Sequence, residues 1–557
     1  MRAVKAADRH NTPLPSLILR ILIFHGYLLA GTGSNVYNAN LAAALAELGH
    51  EVHLVTQERH AADLGFVDAV GNWDTGGLKI ETLRTPVRVT AYRPDIGKVL
   101  PVYVADRYEA LEARLFSDLS DDQLESYIAA NVAAVSDVIA AVRPDVALAN
   151  HLVMGPVILA RALEAPAIPY AVKIHGSALE YTVKADPTRF LPYAVEGLKS
   201  ARGILVGSRH TAESLWTALD DSSIQARTRL GPPGVNVTTF APRERDLATV
   251  GLARLRARLS SATGATIDPK QDQSSFARDP HEAAAALTRL DPSNDRLVSY
   301  VGKIIISKGV DLMLCAWPLV LEEVPTARLV IIGFGAYREG LERMLALLAA
   351  GDLAGVVDMA QQGRALEGGP SSPLRHLISF LARLESDERG RERYLASARR
   401  LADRVVLTGR LEHEEMVDVL PLCEAQIVPS TFPEAFGMVA AEASACGVLP
   451  ICAGHSGLAE VTQALASSVP EPARNWLSFP VDDYAVEAIA SRLCAWMTAP
   501  QALREATREA LVATARDRYS WHGVARGVLD AAQGHLDDLP APRPLGLGTP
   551  PDRPVLG

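Results

Sequence analysis

The chain is short of cysteine, of sustained apolar runs, of positive charge and, among its basic residues, of lysine. Its five cysteines, Cys315, Cys423, Cys446, Cys452 and Cys494, all fall in the C-terminal half, form no CxxC pair and sit in apolar surroundings. That pattern excludes a disulfide framework, argues against zinc, and predicts reduced, buried thiols in a cytoplasmic protein. The apolar stretch at residues 14–24 is split by Arg20 and falls far short of the ~20 residues of a membrane span. No transmembrane segment is expected; residues 19–28 read as a first buried strand and 1–15 as a loose, disordered leader. With 65 Asp+Glu against 55 Lys+Arg, the net charge of −10 weighs against a nucleic-acid partner but leaves room for a small anion. No repeat of 20–50 residues is present.

Only nine of the 55 basic residues are lysine, and beyond Gln271 there are two, Lys303 and Lys308, against 25 arginines. Two lysines five residues apart are ordinarily a pair of solvated surface groups, but their scarcity in this arginine-rich chain favours a functional reading.

At 557 residues, 48% hydrophobic and 22% charged, the chain has the composition of a globular protein of two to four domains of about 150 residues each. Short apolar runs alternate with amphipathic Ala/Leu-rich segments, the pattern of α/β domains with parallel sheets. In the first half the strand candidates are 20–24, 51–56, 78–83, 146–149, 169–174 and 203–206, with helices such as 35–48, 121–142 and 211–219. A second series follows at 297–301, 327–332, 405–407, 425–428, 448–452 and 477–479. The expected organisation is an N-terminal Rossmann-like domain over 16–241, a linker or insertion over 242–295, and a C-terminal domain over 296–510. Residues 346–403 read as an insertion within the C-terminal domain, 511–539 as a helix that crosses back, and 540–557 as a disordered tail. Two doubly wound parallel sheets would face a cleft, where strand ends and helix N-termini meet ligands.

Three segments carry chemistry. Gly31-Thr-Gly33-Ser-Asn35 opens a helix after the first strand, so free N–H groups and close backbone approach favour an anion; His25 ends that strand. Gly302-Lys303 through Lys308-Gly309 follows a strand of the second series, placing two ammonium groups where a diphosphate leaving group would be stabilised. Pro429 to Gly447 carries Glu434 before a helix expected to begin near Phe436, with the N–H groups of Gly437 and Met438 open to an anion, and Glu442 within the helix. Glu442 stands in the apolar context Val-Ala-Ala-Glu-Ala, where burial without a partner is costly, so a hydroxyl-bearing ligand accounts for it more economically.

The Glu434-x7-Glu442 element, with its Pro-Glu-Ala-Phe-Gly core, resembles the retaining GT-B-fold glycosyltransferases of family 4. The resemblance extends to Gly-Lys…Ser-Lys-Gly at 302–309, Ile332-Gly-Phe-Gly335, Leu407-Thr-Gly409-Arg410-Leu, Gly231-Pro-Pro-Gly-Val-Asn236 and the N-terminal Gly-Thr-Gly-Ser-Asn-Val, over residues 20 to 530. It implies a nucleotide-diphosphate sugar as donor, most commonly a UDP-sugar, a hydroxyl-bearing acceptor, and no obligatory metal or other cofactor. It further implies that Lys303 and Lys308 hold the diphosphate, Glu434 the transferred sugar and Glu442 the ribose. Gly31, Gly33, Gly335, Arg410, Phe436, Gly437 and Met438 would complete the donor site. His175 resembles the active-site histidine of the N-terminal domain, and His25 and Asn35 fall on the acceptor side. The chain departs from the family pattern in having Lys303 where arginine is common, Val448 where threonine is frequent, and long excursions near 242–295 and 346–403. Two alternatives are a GT-B relative without transferase activity, either an epimerase or a sugar-binding subunit, and a tandem-Rossmann oxidoreductase. The latter needs GxGxxG and an acidic ribose clamp, which are missing in context.

Overall fold

The computed structural model describes residues 18–104, 111–262 and 278–542. The expected leader, the tail from 543 and the middle of the 242–295 segment lie outside the described residues.

The N-terminal strands are β1 (Arg20–Phe24), β2 (Glu51–Val55), β3 (Ala69–Asp74), β4 (Gly77–Thr82), β5 (Val89–Tyr92), β6 (Val99–Val102), β7 (Glu112–Leu115), β8 (Val146–Asn150), β9 (Tyr170–Ile174), β10 (Gly203–Val206) and β11 (Thr228–Leu230). Nine of them form one sheet in the order β11-β10-β9-β8-β1-β2-β5-β3-β4, while β6 and β7 pair separately. All pairings in the large sheet are parallel except β3–β4. The run at 78–83, expected as one more parallel strand, is thus the outer arm of an antiparallel hairpin. Its turn, Asp74-Thr-Gly-Gly77, is short enough to reverse the chain directly, and Asp74 accepts from the Gly76 N–H at 2.8 Å.

The second sheet contains β12 (Arg296–Val301), β13 (Ala327–Ile332), β14 (Val405–Gly409), β15 (Cys423–Val428), β16 (Leu449–Ala453) and β17 (Ser478–Phe479). Its order is β14-β13-β12-β15-β16-β17, all parallel. These strands are buried on both faces, which is why they read as continuous apolar runs rather than alternating ones.

Each sheet carries its own core. The helices Arg245–Ser260 and Pro280–Leu287 bury Leu252, Leu255, Leu259, Ala284 and Leu287 in the core of the second sheet. Within 346–403 the helices Arg375–Ser386 and Glu388–Ala398 contribute Phe380, Leu384 and Tyr394 to the same core, and the Tyr394 hydroxyl donates to the Cys315 carbonyl at 2.9 Å. Helix Trp521–Gln533 leaves the second domain and packs on the first, where Trp521, Ala525, Val528 and Leu529 join the core beneath β1 and β2. All five cysteines are free and buried. Helix Asp121–Val142 is long and apolar enough to cross a membrane, but it buries Leu124, Ile128, Val135 and Val138 in the N-terminal core and turns Asp121 and Asp122 outward.

Candidate functional site

The carboxyl ends of both sheets open onto one cleft of about 1220 Å³. Twelve of the fourteen residues singled out in the sequence line it: Gly31, Gly33, Asn35, His175, Lys303, Lys308, Arg410, Glu434, Phe436, Gly437, Met438 and Glu442. The other two, His25 and Gly335, stand behind the wall.

On the C-terminal side, the loop after β12 is pressed against the loop after β15. Gly309 has φ of 68°, and a Cβ there would meet the Pro429 carbonyl oxygen at 2.0 Å, so only glycine permits the approach. The Ser307 carbonyl accepts from the Thr431 N–H at 3.0 Å across the same seam. This contact brings the Lys308 ammonium onto the Glu434 carboxylate, which also accepts from the Ser430 hydroxyl. Burial pushes the Glu434 carboxyl up, but Lys308, Ser430 and the nearby His455 outweigh it and hold the group below the ordinary carboxylate range. The Glu434 main chain is fixed by the Ser456 hydroxyl, which accepts from its N–H at 2.9 Å, and by the Gly457 N–H, which donates to its carbonyl. Lys303 lies over the Phe334 ring, as does Arg410, each 5.9 Å from its centroid. Gly335 serves the architecture: with φ of 154°, it lets the loop after β13 lie on Ile304, whose carbonyl oxygen a Cβ would meet at 2.3 Å.

The helix after Glu434 runs Met438–Ala445, two residues later than expected, because Gly437 with φ of 124° is the non-helical cap. Glu442 is 3% exposed. It has a protein partner after all: His413 Nε2 lies 2.7 Å from Glu442 Oε1. Burial lowers the His413 pKa, but the Glu442 charge and hydrogen bond outweigh it, so the imidazole is raised above its usual value. The sequence reading missed His413. Its one signal is its place four residues after Gly409, at the end of β14.

On the N-terminal side a chain of amides runs beneath the wall. His175 Nε2 donates to Asn150 Oδ1 at 2.9 Å; Asn150 donates to Asn38 Oδ1 at 2.8 Å; Asn38 donates to His25 Nδ1 at 3.0 Å. His25 Nε2 then donates to Asn35 Oδ1 and the Leu28 carbonyl, both at 3.0 Å. With 1% exposure, His25 supports the wall instead of touching a ligand. Burial lowers its pKa to about 4. His175 is likewise held well below its usual value, first by burial and then by His151, Lys173 and His25, so the ring facing the cleft is neutral. Beside it Lys173 is 2% exposed, donates to the Gly231 carbonyl and sits 5.3 Å over the Tyr37 ring; burial brings its pKa down to about 7.

The two sides touch. A Cβ on Gly33 would lie 3.8 Å from Met438 Sδ. Tyr181 and Phe432 stack across the mouth with centroids 5.5 Å apart. Glu460, on helix Ser456–Ala466, accepts from the Arg209 N–H at 2.7 Å and the His210 N–H at 2.9 Å, and so caps helix Arg209–Leu219 of the opposite domain. Among the described residues, no group of three or more His, Cys, Asp or Glu is placed to hold a metal ion.

Residues 384–517 match the family model described as glycosyl transferases group 1, and residues 32–220 match the glycosyl transferase 4-like domain. The D-inositol 3-phosphate glycosyltransferase of Segniliparus rotundus is 26% identical over 272 residues, 48% of this chain and 46% of that protein. The GDP-mannose-dependent alpha-(1-6)-phosphatidylinositol monomannoside mannosyltransferase of Mycolicibacterium smegmatis is 28% identical over 265 residues, 46% of this chain and 54% of that protein. The chain thus spans about half the length of these curated relatives. Among solved structures, sucrose-phosphate synthase from Thermosynechococcus elongatus superposes with a TM-score of 0.53 at 18% identity, covering 93% of this chain and 99% of the other. Anabaena HepE in complex with UDP and glucose gives 0.51 at 13% identity, covering 94% and 100%. At these identities the structural likeness establishes the fold alone.

Proposed function

The chain belongs to the glycosyl transferases of group 1 and has the GT-B fold, and from that premise we propose that it is a retaining hexosyltransferase. It moves a sugar from a nucleotide-diphosphate sugar, a UDP-sugar, to a hydroxyl-bearing acceptor. The observation that carries the reading is the pairing of Lys308 with Glu434 in the cleft, one helical segment before the His413–Glu442 pair. An ammonium for a diphosphate, a carboxylate for sugar hydroxyls and a second carboxylate for ribose hydroxyls then follow one another along a single wall.

Donor binding divides the Lys308–Glu434 pair between two new partners. The diphosphate takes the ammonium of Lys308, with Lys303 and the N–H groups of Gly437 and Met438 beside it. Glu434, already ionised, turns to the sugar hydroxyls. As the bond to the leaving phosphate breaks, negative charge grows on its oxygen and these fixed donors stabilise it. The acceptor hydroxyl approaches from the same face and passes its proton to the departing phosphate, which gives retention without a protein nucleophile. Neutral His175, its Nε2–H held by Asn150, orients the transferred sugar without adding a competing cation. The N-terminal domain closes over the donor through Gly33, and water is kept out. Five buried thiols suit the reducing, cytoplasmic setting in which this reaction is proposed to occur.

The test is a thermal-shift panel of UDP-, GDP- and ADP-sugars with product analysis. A UDP-sugar should raise the midpoint most and yield a glycosylated product. No stabilisation by any nucleotide sugar, or a donor that is only epimerised, would refute the proposal.

A further inference from the structure

The 346–403 excursion reaches the donor wall through one carboxylate. Helices Leu353–Gln362 and Arg375–Ser386 set Val356, Met359, Phe380 and Leu384 into the core of the second sheet, so the loop between them hangs from fixed ends. The Leu374 N–H closes its base on the Ala360 carbonyl at 2.8 Å, and Gly363 pairs with Ser372 across its neck. Past the neck comes the short helical turn Arg364–Glu367, tied back by the Gly368 and Gly369 N–H groups, which donate to the Ala365 and Arg364 carbonyls at 3.1 and 3.0 Å. The Glu367 side chain at its end is 9% exposed. One carboxylate oxygen accepts from Arg364 Nε at 3.2 Å, and the other accepts from the Ile306 N–H at 2.9 Å. Both oxygens are therefore engaged, and the group is fixed in orientation.

Ile306 lies between the two lysines and opens the three-residue turn Ile306–Lys308, which has no side-chain cap from its own preceding residue. Its N–H is one of those a helical turn leaves without an internal partner, and Glu367, 61 residues away, supplies the acceptor. The other face of the turn is held by the Glu434 loop: the Ser307 carbonyl accepts from the Thr431 and Phe432 N–H groups at 3.0 and 3.3 Å. Just upstream, Ile304 is paired through both its N–H and its carbonyl with Phe334 and Tyr337. The turn that ends in Lys308 is thus gripped between the Glu434 loop and the excursion. In the absence of donor the Lys308 ammonium is itself on Glu434. Once a diphosphate takes that ammonium, the side-chain bond no longer anchors the turn, and its backbone partners must keep the lysine in place. A misplacement of about 1 Å at such a contact is enough to cost about 100-fold.

We propose that Glu367 is a positioning residue for the donor site: by accepting from the Ile306 N–H it holds the turn that presents Lys308 to the diphosphate, and the 346–403 excursion thereby serves donor binding. The proposal rests on the reading of Lys308 as a diphosphate ligand and gives the excursion a task within it.

The test is calorimetric titration of the full chain with UDP and with uridine, which lacks both phosphates. Glu367→Ala should weaken UDP at least about tenfold and leave uridine unchanged. Glu367→Gln keeps an acceptor oxygen at the same reach and should bind UDP within about threefold of the wild type. Because Glu367 acts through Lys308, adding Glu367→Ala to Lys308→Ala should change UDP affinity by no more than about twofold. Unchanged UDP binding in Glu367→Ala, an equal loss of UDP and uridine, a Glu367→Gln protein as weak as Glu367→Ala, or full additivity with Lys308→Ala would each overturn the proposal. Where Glu367→Ala does not fold, Glu367→Asp, whose carboxylate stops one methylene short of Ile306, carries the same comparison with the same expected loss. Failure of the underlying reading shows in the wild type alone: UDP bound no more tightly than uridine refutes the diphosphate assignment of Lys308, and this proposal falls with it. A wild-type preference for UDP that survives in Glu367→Ala removes the proposal and leaves the donor reading standing.

Discussion

Removing the Glu460 carboxylate should open the cleft. Its two oxygens accept from the first two N–H groups of helix Arg209–Leu219, and the third is taken by the Ser208 hydroxyl at 3.2 Å. The helix is therefore capped partly by its own domain and partly by the other. Charge-assisted hydrogen bonds contribute about 1.5–3 kcal/mol each when well buried. Here the site is part-buried and water can replace the carboxylate on opening, so about 2 kcal/mol for the pair is the appropriate scale. That corresponds to a shift of roughly 30-fold in the closed-to-open ratio. Glu460→Ala should show an enlarged radius of gyration by small-angle X-ray scattering and a longer interdomain distance between spin labels, with turnover lowered in proportion to the lost closed population. Glu460→Gln, which keeps an acceptor but no charge, should fall between. The stacked Tyr181–Phe432 pair and the Thr211 hydroxyl on the Ala435 carbonyl remain in both variants, so opening should be partial. An unchanged scattering profile together with unchanged turnover in Glu460→Ala would refute the latch.

Lys308→Ala should depress turnover by at least about 100-fold, because it removes a donor to the leaving diphosphate; near-normal transfer would sink that assignment. His413→Ala orphans a buried carboxylate and should cost about 2–3 kcal/mol in denaturant unfolding, besides weakening UDP binding. Because the folded His413 pKa is raised by Glu442, the pair stabilises the fold fully below the unfolded histidine pKa and loses that contribution as pH rises through the folded value. The wild-type minus His413→Ala midpoint difference should therefore shrink toward alkaline pH. Glu434 behaves oppositely: its pKa is lowered in the folded state, so its contribution is complete above the unfolded carboxylate pKa and fades as pH falls through the folded value. Glu434→Gln should flatten the acid side of the midpoint profile and abolish transfer.

The C-terminal sheet was the more legible half. Its strands are buried on both faces, so apolar runs such as Leu297–Val301 and Ala327–Ile332 stand out between turn residues. In the N-terminal sheet, β3 carries Asn72 and Asp74 within its pairing, and β5 and β11 have only four and three residues. Such strands are made by their neighbours more than by their own composition. The E-x7-E element and the two lysines were legible because chemistry sets both residue type and spacing. What binds Glu442 was not: His413 lies 29 residues away and is brought to it by the turn after β14. The reading of Glu442, in which a hydroxyl-bearing ligand is its more economical partner, did not foresee that histidine for the same reason. The burial of His25 was also hidden, since the amides that hold it come from helix Gly33–Glu47 and depend on that helix folding over the end of β1.

The central claim is transfer with retention from a nucleotide sugar held by Lys308, Glu434 and Glu442. The most direct measurement is NMR of the product formed from a UDP-sugar carrying ¹³C at the anomeric carbon, using an acceptor that gives a glycosylated product in the nucleotide-sugar panel. The proposed chemistry predicts a new glycosidic carbon with the same anomeric configuration as the donor, absent in Lys308→Ala. An inverted product, or label found only in free sugar or in an epimerised nucleotide sugar, would contradict it.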